Sequence, residues 1–347
     1  MIEGVANQRL LIVGNPAPIH IGAHLFRVAQ SMGLLVEMYD SNAAFAAAWP
    51  VVKFNWWLRG RRPPLLKVFS QRIVEACRTF RPKWMLTTGI SPIEAGAIAE
   101  IGKLGVQRLN YLTDDPWNPA HQTSWFMKSL ALYDHVFSPR RANLKDLRQL
   151  GCHQISYLPF AYAPELHFPD PPITAAEQER YASEVIFAGG ADPDRLPYIT
   201  ALIRAGFKVA LYGGYWSRFS KTKAYSRGNA DPITLRKAIG GAKVALCLVR
   251  QANRDGHSMR TYEVPAVGAC MLVEDTEEHR EIFGEDNQTV IYFRNIDEMI
   301  EKMRWLLGHD GERQRLACAV QSLIVSQGNT YKDRLRSMLF ALNSVSS

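Results

Sequence analysis

The chain has 347 residues, 47% hydrophobic and 21% charged, with a formal net charge of +8. This is the composition of a globular chain long enough for two domains, and it excludes collagenous, disulfide-stapled and disordered classes. The positive balance favours anionic partners without choosing among nucleotide, nucleic acid and anionic lipid. The longest apolar run, 43–52, is too short for a membrane span. No signal peptide is expected ahead of Arg9. Five scattered cysteines without a C-x-x-C pair suit a reduced, cytoplasmic chain with no structural zinc.

In chain order, Arg9-Leu10-Leu11-Ile12-Val13-Gly14 reads as a first strand, broken at Asn15-Pro16-Ala17-Pro18. A helix over 22–32 and a strand over 34–40 complete a βαβ unit. The loop lacks G-x-G-x-x-G, so it is either shaped for a cleft or simply packed. The stretch 45–69 departs from the alternation: Trp49, Trp56 and Trp57 run into Arg59, Arg61, Arg62 and Lys67. Aromatics beside cations suit a membrane interface or a lipid-linked acceptor. They equally suit single-stranded nucleic acid, or tryptophans buried against the domain.

Alternation resumes with a helix at 65–79, a strand at 83–89, a helix at 92–103 and a strand at 106–113. That strand runs into Asp114-Asp115-Pro116-Trp117-Asn118-Pro119. Two acids at a strand's carboxyl end are placed either for chemistry or for an Asx-type turn. Strands at 135–139 and 155–160 close this half. Pro164, Pro169, Pro171 and Pro172 then give a linker composition.

A second sheet begins with a strand at 184–190, ending in Gly189-Gly190, where a backbone can approach a ligand closely. A helix starts at Arg195, a strand over 207–214 ends in Gly213-Gly214, and the basic stretch 215–227 is expected to be a mobile loop. The strand 243–249 leads to a polar loop with Arg250, Arg254 and Asp255. Ser258 is the expected N-cap, which puts Arg260, Thr261 and Glu263 in the first turn of a short helix. Free N–H groups there, with guanidinium groups nearby, suit a diphosphate, and a carboxylate one turn in suits a ribose. The same Arg260–Glu263 spacing also describes an ordinary i,i+3 ion pair. Helices at 277–283, 297–307, 312–326 and 331–342 follow. His20 and His24 lie four apart with no third ligand near, so no metal site is expected.

Asp255 and Glu263 are two acids with seven residues between them. Glu263-Val264-Pro265-Ala266-Val267-Gly268 follows the second with a small-residue helix and a glycine. This stretch resembles the donor site of GT-B glycosyltransferases. Arg260-x-x-Glu263 with Gly268, the Asp-Asp-Pro at 114–116 and the Tyr-Gly pair at 212–213 resemble in particular the spore-maturation-protein-like glycosyltransferases. The likeness covers 184–335 by motif and the first half by topology.

The resemblance implies an α/β chain of two Rossmann-like domains facing a cleft. Residues 1–163 would form the acceptor domain, 164–183 a Pro-rich linker and 184–330 the nucleotide-sugar-binding domain. The last helix, in 331–347, would cross back to the first domain. The implied reaction moves a sugar from a nucleotide-diphosphate donor to a hydroxyl of a saccharide, lipid-linked or protein acceptor. Neither metal nor cofactor takes part, the nucleotide sugar being a co-substrate. Gly189, Gly190, Arg195, Gly213, Arg250, Arg254, Ser258, Arg260 and Thr261 would surround the donor. Glu263 would hold its ribose. Asp255 would hold its sugar, although the family usually carries Glu at that position. Asp114 or Asp115 would be the base or would orient the acceptor. Trp56, Trp57, Arg59, Arg61 and Arg62 would form an acceptor or membrane surface, placing the protein peripherally on the inner face. A sugar-nucleotide epimerase and a non-catalytic scaffold of the same fold are the alternatives.

Overall fold

The computed structural model describes residues 7–341. They form two compact α/β units. One comprises the described residues up to Pro159 together with those from Tyr331 onward; the other is Phe160–Thr330.

The first unit is built on β1 (Arg9–Gly14), β2 (Leu35–Asp40), β3 (Trp84–Thr88), β4 (Gln107–Tyr111), β5 (His135–Ser138) and β6 (Ile155–Tyr157). These pair in parallel in the order β2-β1-β3-β4-β5-β6. Between them run α1 (Ile21–Ser31), α2 (Trp49–Leu58), α3 (Leu66–Phe80), α4 (Ala95–Lys103), α5 (Ser124–Leu130) and α6 (Arg141–Leu150). Leu10, Leu11, Ile12 and Val13 are all fully buried, as expected of a central parallel strand covered on both faces. The winding direction reverses between β1 and β3. Such a switch point leaves a crevice beyond the strands' carboxyl ends. Gly14 lies there, and a Cβ on it would come within 2.5 Å of the Thr88 hydroxyl.

The second unit starts with α7 (Ala175–Tyr181) and β7 (Ser183–Ala188). It continues through α8 (Leu196–Arg204), β8 (Val209–Tyr212), β9 (Ser226–Gly228), α9 (Pro232–Gly240), β10 (Ala242–Cys247), α10 (Arg260–Val267), β11 (Met271–Glu274), α11 (Glu277–Phe283), β12 (Ile291–Phe293), α12 (Ile296–Gly308) and α13 (Asp310–Ser326). All six strands are parallel, in the order β12-β11-β10-β7-β8-β9. This is the doubly wound dinucleotide-fold order, with its switch point between β7 and β10. The last described helix, α14 (Tyr331–Phe340), belongs to the first unit. Its Tyr331 ring stacks on His24 of α1 at 4.6 Å, and Arg334 donates to the Pro159 carbonyl. His24 is thus a core residue, 1% exposed.

Two expectations change here. The Pro-rich stretch does not stand apart as a linker. Asp170 pairs with Arg236 (3.0 Å) and Lys237 (2.8 Å) of α9, and α7 carries a full capping box, with Thr174 and Glu177 reciprocally bonded. The stretch 215–227 is not a loose loop either. Trp216 is fully buried, Thr222 donates its hydroxyl to the Trp216 carbonyl, and β9 follows.

Candidate functional site

The glycine turn after β7 lies at the switch point of the second unit. Gly189 donates its N–H to the Tyr212 carbonyl at 2.8 Å, joining the ends of β7 and β8. Gly213 has φ +142°, and a Cβ there would lie 2.3 Å from the Gly189 carbonyl oxygen and 2.8 Å from the Gly190 nitrogen. Only glycine fits, so chain packing alone accounts for Gly213. Gly190 differs. Its φ is not in the left-handed region, and a Cβ would meet nothing nearer than the Gly214 oxygen at 3.6 Å. Among the described residues, no packing requires a glycine at 190.

Two side chains brace this turn. Arg195 is 8% exposed; its guanidinium donates to the Gly190 carbonyl at 3.2 Å and pairs with Asp192 at 3.4 Å. Burial lowers its pKa, and Asp192 opposes that. Arg195 also precedes α8 rather than starting it. Trp216 donates its indole N–H to the Gly189 carbonyl at 2.7 Å. Sequence reasoning passed over Trp216, because a tryptophan inside a basic stretch shows no periodicity that marks it as buried.

The loop after β10 is fastened from behind. Arg250 donates from Nε to Asp192 at 3.3 Å. Arg254 is exposed, with φ +51°. Asp255 is half-buried, and its N–H reaches the Arg250 carbonyl at 3.2 Å. His257, 1% exposed, accepts the Phe160 N–H on Nε2 at 3.2 Å. Its proton is therefore on Nδ1, which donates to Glu278 at 2.5 Å. Neither His257 nor Glu278 was singled out from sequence; their partnership spans 21 residues and obeys no local spacing.

Ser258 is not the N-cap. Helix α10 begins at Arg260, after Met259, with no side-chain cap. The Ser258 N–H instead donates to the Thr261 hydroxyl at 3.0 Å. Thr261 is fully buried and its hydroxyl donates to His279 Nε2 at 3.0 Å, while His279 Nδ1 donates to the Glu274 carbonyl at 2.8 Å. Burial pushes the His279 pKa down to about 4, which keeps the ring neutral in this chain of bonds. Thr261 is thus an internal strut rather than a ligand contact. The N–H groups of Thr261, Tyr262 and Glu263 are also taken, by the carbonyls of Ser258 and Met259 in a tight first turn. The expectation of several free N–H groups there is overturned for these positions.

Arg260 and Glu263 do form the i,i+3 pair, but not on a solvated face: the Glu263 side chain is 2% exposed. The Arg260 side chain is 30% exposed, and its Nε donates to the Ala188 carbonyl at 3.1 Å. That bond ties the start of α10 to the end of β7. The other Glu263 oxygen lies 3.8 Å from His167 Nε2. His167 Nδ1 accepts the Ala163 N–H at 3.0 Å, which directs its Nε2 proton at the carboxylate. The structure thereby brings together the turn 188–190, Arg250, Arg260 and Glu263.

In the first unit the two adjacent acids separate. Asp115 is fully buried, and its Oδ1 accepts the Trp117 N–H at 3.0 Å and the Asn143 amide at 2.8 Å. It is the Asx-turn residue. Asp114 is half-buried, takes the Thr113 hydroxyl at 3.3 Å, and lies at the carboxyl end of β4 beside Gly89. His20 is close enough to feel its charge; desolvation lowers the His20 pKa and Asp114 opposes that.

Trp56 and Trp57 are 42% and 76% exposed, which overturns the reading of tryptophans buried against the domain. Arg59 is exposed, whereas Arg61 donates to the Gln122 carbonyl at 2.9 Å and Arg62 pairs with Glu94.

Residues 196–339 match a family model described as glycosyl transferase-like. No curated protein sequence matches the chain. Among solved structures, the sucrose-phosphate synthase of Thermosynechococcus elongatus aligns with TM-score 0.69 at 12% identity, over 98% of this chain and 100% of that one. Anabaena HepE in complex with UDP-glucose aligns with TM-score 0.66 at 12% identity, over 97% and 100%. The trehalose 6-phosphate synthase of Burkholderia multivorans aligns with TM-score 0.63 at 12% identity, over 98% and 97%. At such identities the likeness concerns the fold. Two doubly wound parallel sheets give the chain the GT-B fold of these structures, and residues 196–339 are similar to a glycosyl transferase-like domain.

Proposed function

We propose that this chain transfers a sugar from a nucleoside diphosphate to an acceptor hydroxyl. The observation that carries the reading is the pair of the partly exposed Arg260 with the buried Glu263, anchored through Ala188 beside the unhindered Gly190 at the switch point. A guanidinium beside a glycine backbone suits a diphosphate that gains charge as it leaves. Arg260, Arg250 and Arg254 would supply that stabilisation from the chain's own cations. Glu263 would accept hydrogen bonds from the two ribose hydroxyls, as the acid of a dinucleotide fold does, and Asp255 would hold the sugar. Asp114, rather than Asp115, would take the proton of the acceptor hydroxyl, because Asp115 is committed to its turn. Structural relatives described with UDP-glucose support a nucleotide sugar as donor.

The test pairs Glu263→Gln with ribo- and deoxyribonucleoside diphosphates. The ribonucleotide should lose about tenfold or more on this change and the deoxyribonucleotide much less, since a hydrogen bond to a charged group is worth ~1.5–3 kcal/mol. Equal losses for both would remove Glu263 from the ribose. Incubation with a panel of sugar nucleotides, without acceptor, should release nucleoside diphosphate slowly. Epimerised sugar nucleotide would indicate an epimerase. No binding across the panel would leave a scaffold.

A further inference from the structure

Helix α2 buries almost none of its own side chains. Asn55 is its one buried residue, and it donates to the Val51 carbonyl within the helix. Trp49 is 67% exposed, Trp57 76% and Leu58 72%, with Phe54 and Val51 about half exposed. A helix that is apolar around its circumference and unpacked by its own fold is covered by something else.

The charge pattern says by what. Residues 41–74 contain no Asp or Glu, and they carry six cations: Lys53, Arg59, Arg61, Arg62, Lys67 and Arg72. These alternate with the aromatics in space. The Lys53 ammonium lies 4.0 Å from the Trp49 ring centre, Arg61 is 5.7 Å from that of Trp56, and Arg59 is 5.9 Å from that of Phe54. Two copies of such a face would repel each other. A nucleic acid would use the rings and cations but would leave Val51 and Leu58 in water. An anionic bilayer surface takes all three: aliphatic side chains inserted, tryptophans at headgroup depth, cations against lipid phosphates.

The far end of this surface is tied to the loops that follow β3 and β4 of the first unit. Arg61 donates to Gln122, at the end of the loop that begins with Asp114, and Arg62 pairs with Glu94, just beyond β3. We infer that α2 and the following arginines dock the protein on an anionic lipid surface, and that the acceptor hydroxyl is carried by a lipid or lipid-linked sugar in that surface. The second clause rests on the proposed transfer activity; the first does not.

The test is flotation of the full chain with phosphatidylglycerol–phosphatidylcholine vesicles and with phosphatidylcholine alone. Lys53→Ser/Arg59→Ser removes two exposed cations and spares Arg61 and Arg62. Trp49→Ala/Trp57→Ala removes the apolar part. Circular dichroism and melting confirm that both variants fold. Wild type should float with the anionic vesicles only, and less so in high salt. Each cation beside an anionic surface is worth a factor of about five, so the cation variant should partition about 30-fold more weakly. The tryptophan variant should lose about tenfold or more from the apolar area withheld from the bilayer. Folded wild type that never floats, or a cation variant that floats equally, overturns the docking. So does retention by single-stranded RNA without vesicle binding. Transfer to water-soluble acceptors at the same rate with and without vesicles overturns the lipid acceptor but leaves the docking. Loss of nucleoside-diphosphate binding, read separately by calorimetry, would strike the proposed activity and not this surface.

Discussion

Gly190→Ala separates a glycine kept for a ligand from one kept for the fold. A Cβ at 190 meets only the Gly214 oxygen, at 3.6 Å, an ordinary contact, and the backbone there needs no left-handed φ. The folded chain should therefore tolerate the methyl. Loss of glycine entropy from the unfolded state should even stabilise it by ~0.4–1 kcal/mol. Gly213→Ala is the comparator. Its Cβ would fall within 2.3–2.8 Å of backbone atoms of Gly189 and Gly190, at a φ of +142°. Backbone strain of ~1–3 kcal/mol and overpacking of ~1–3 kcal/mol add to about 2–6 kcal/mol. The two variants thus have opposite expected signs in a urea melt. If the donor diphosphate lies against Gly190, the methyl displaces at least one charge-assisted contact worth ~1.5–3 kcal/mol, or about 10- to 150-fold in affinity. Isothermal calorimetry with a panel of nucleoside diphosphates and their parent nucleosides reads this directly. The diphosphates should weaken and the nucleosides should not. A folded, wild-type-stable Gly190→Ala that binds diphosphates normally would refute the placement of the phosphates.

The adjacent acids should behave as different residues. Asp114→Asn should melt like wild type, keep donor affinity and lose turnover by ~10²–10⁴-fold, whereas Asp115→Ala should cost ~1–3 kcal/mol of stability, because its Oδ1 accepts from two buried donors. Full turnover in Asp114→Asn, or an unchanged melt in Asp115→Ala, would reverse the assignment. The buried His279 sets a pH dependence of stability. Its folded pKa of about 4 lies below the ordinary value of 6.5, so the unfolded chain protonates first as pH falls. The residue has no effect above about pH 6.5, and below it stability declines by ~1.4 kcal/mol per pH unit until the folded pKa is reached. Between pH 7 and pH 5 this amounts to about 2 kcal/mol. Urea unfolding of His279→Gln should be less pH-sensitive than wild type by that amount, and equal sensitivity would show that His279 titrates normally.

Burial separates most internal struts from the groups proposed to face a ligand, Glu263 being the exception at 2% exposure. Arg195, Thr261, His257 and His279 are nearly inaccessible, and each has partners within the second unit. Arg254 and Gly190 have room beside them. Arg260 is intermediate: its Nε is fixed to Ala188 while its side chain stays partly exposed. A mutational scan that ignores this difference would confuse loss of fold with loss of donor.

Much of this protein was legible in one dimension. Apolar runs of four to seven residues, alternating with amphipathic stretches and punctuated by glycine and proline, determine parallel α/β units, because a strand covered on both faces must be apolar throughout. The i,i+3 spacing of Arg260 and Glu263 put both at the start of one helix, and the pair is there. The run of tryptophans and arginines without an acid was readable as a departure from the alternation, but not as an exposed helix. Tertiary structure decided the rest. Strand order places β7 beside β10, and only that neighbourhood lets Arg260 reach Ala188 across 72 residues and Arg250 reach Asp192 across 58. Burial chose between Asp114 and Asp115, which are indistinguishable as sequence. It also turned Thr261 inward to His279 and set Gly213 apart from Gly190. These choices depend on which groups lose water and which partners replace it, and that is settled when distant segments meet.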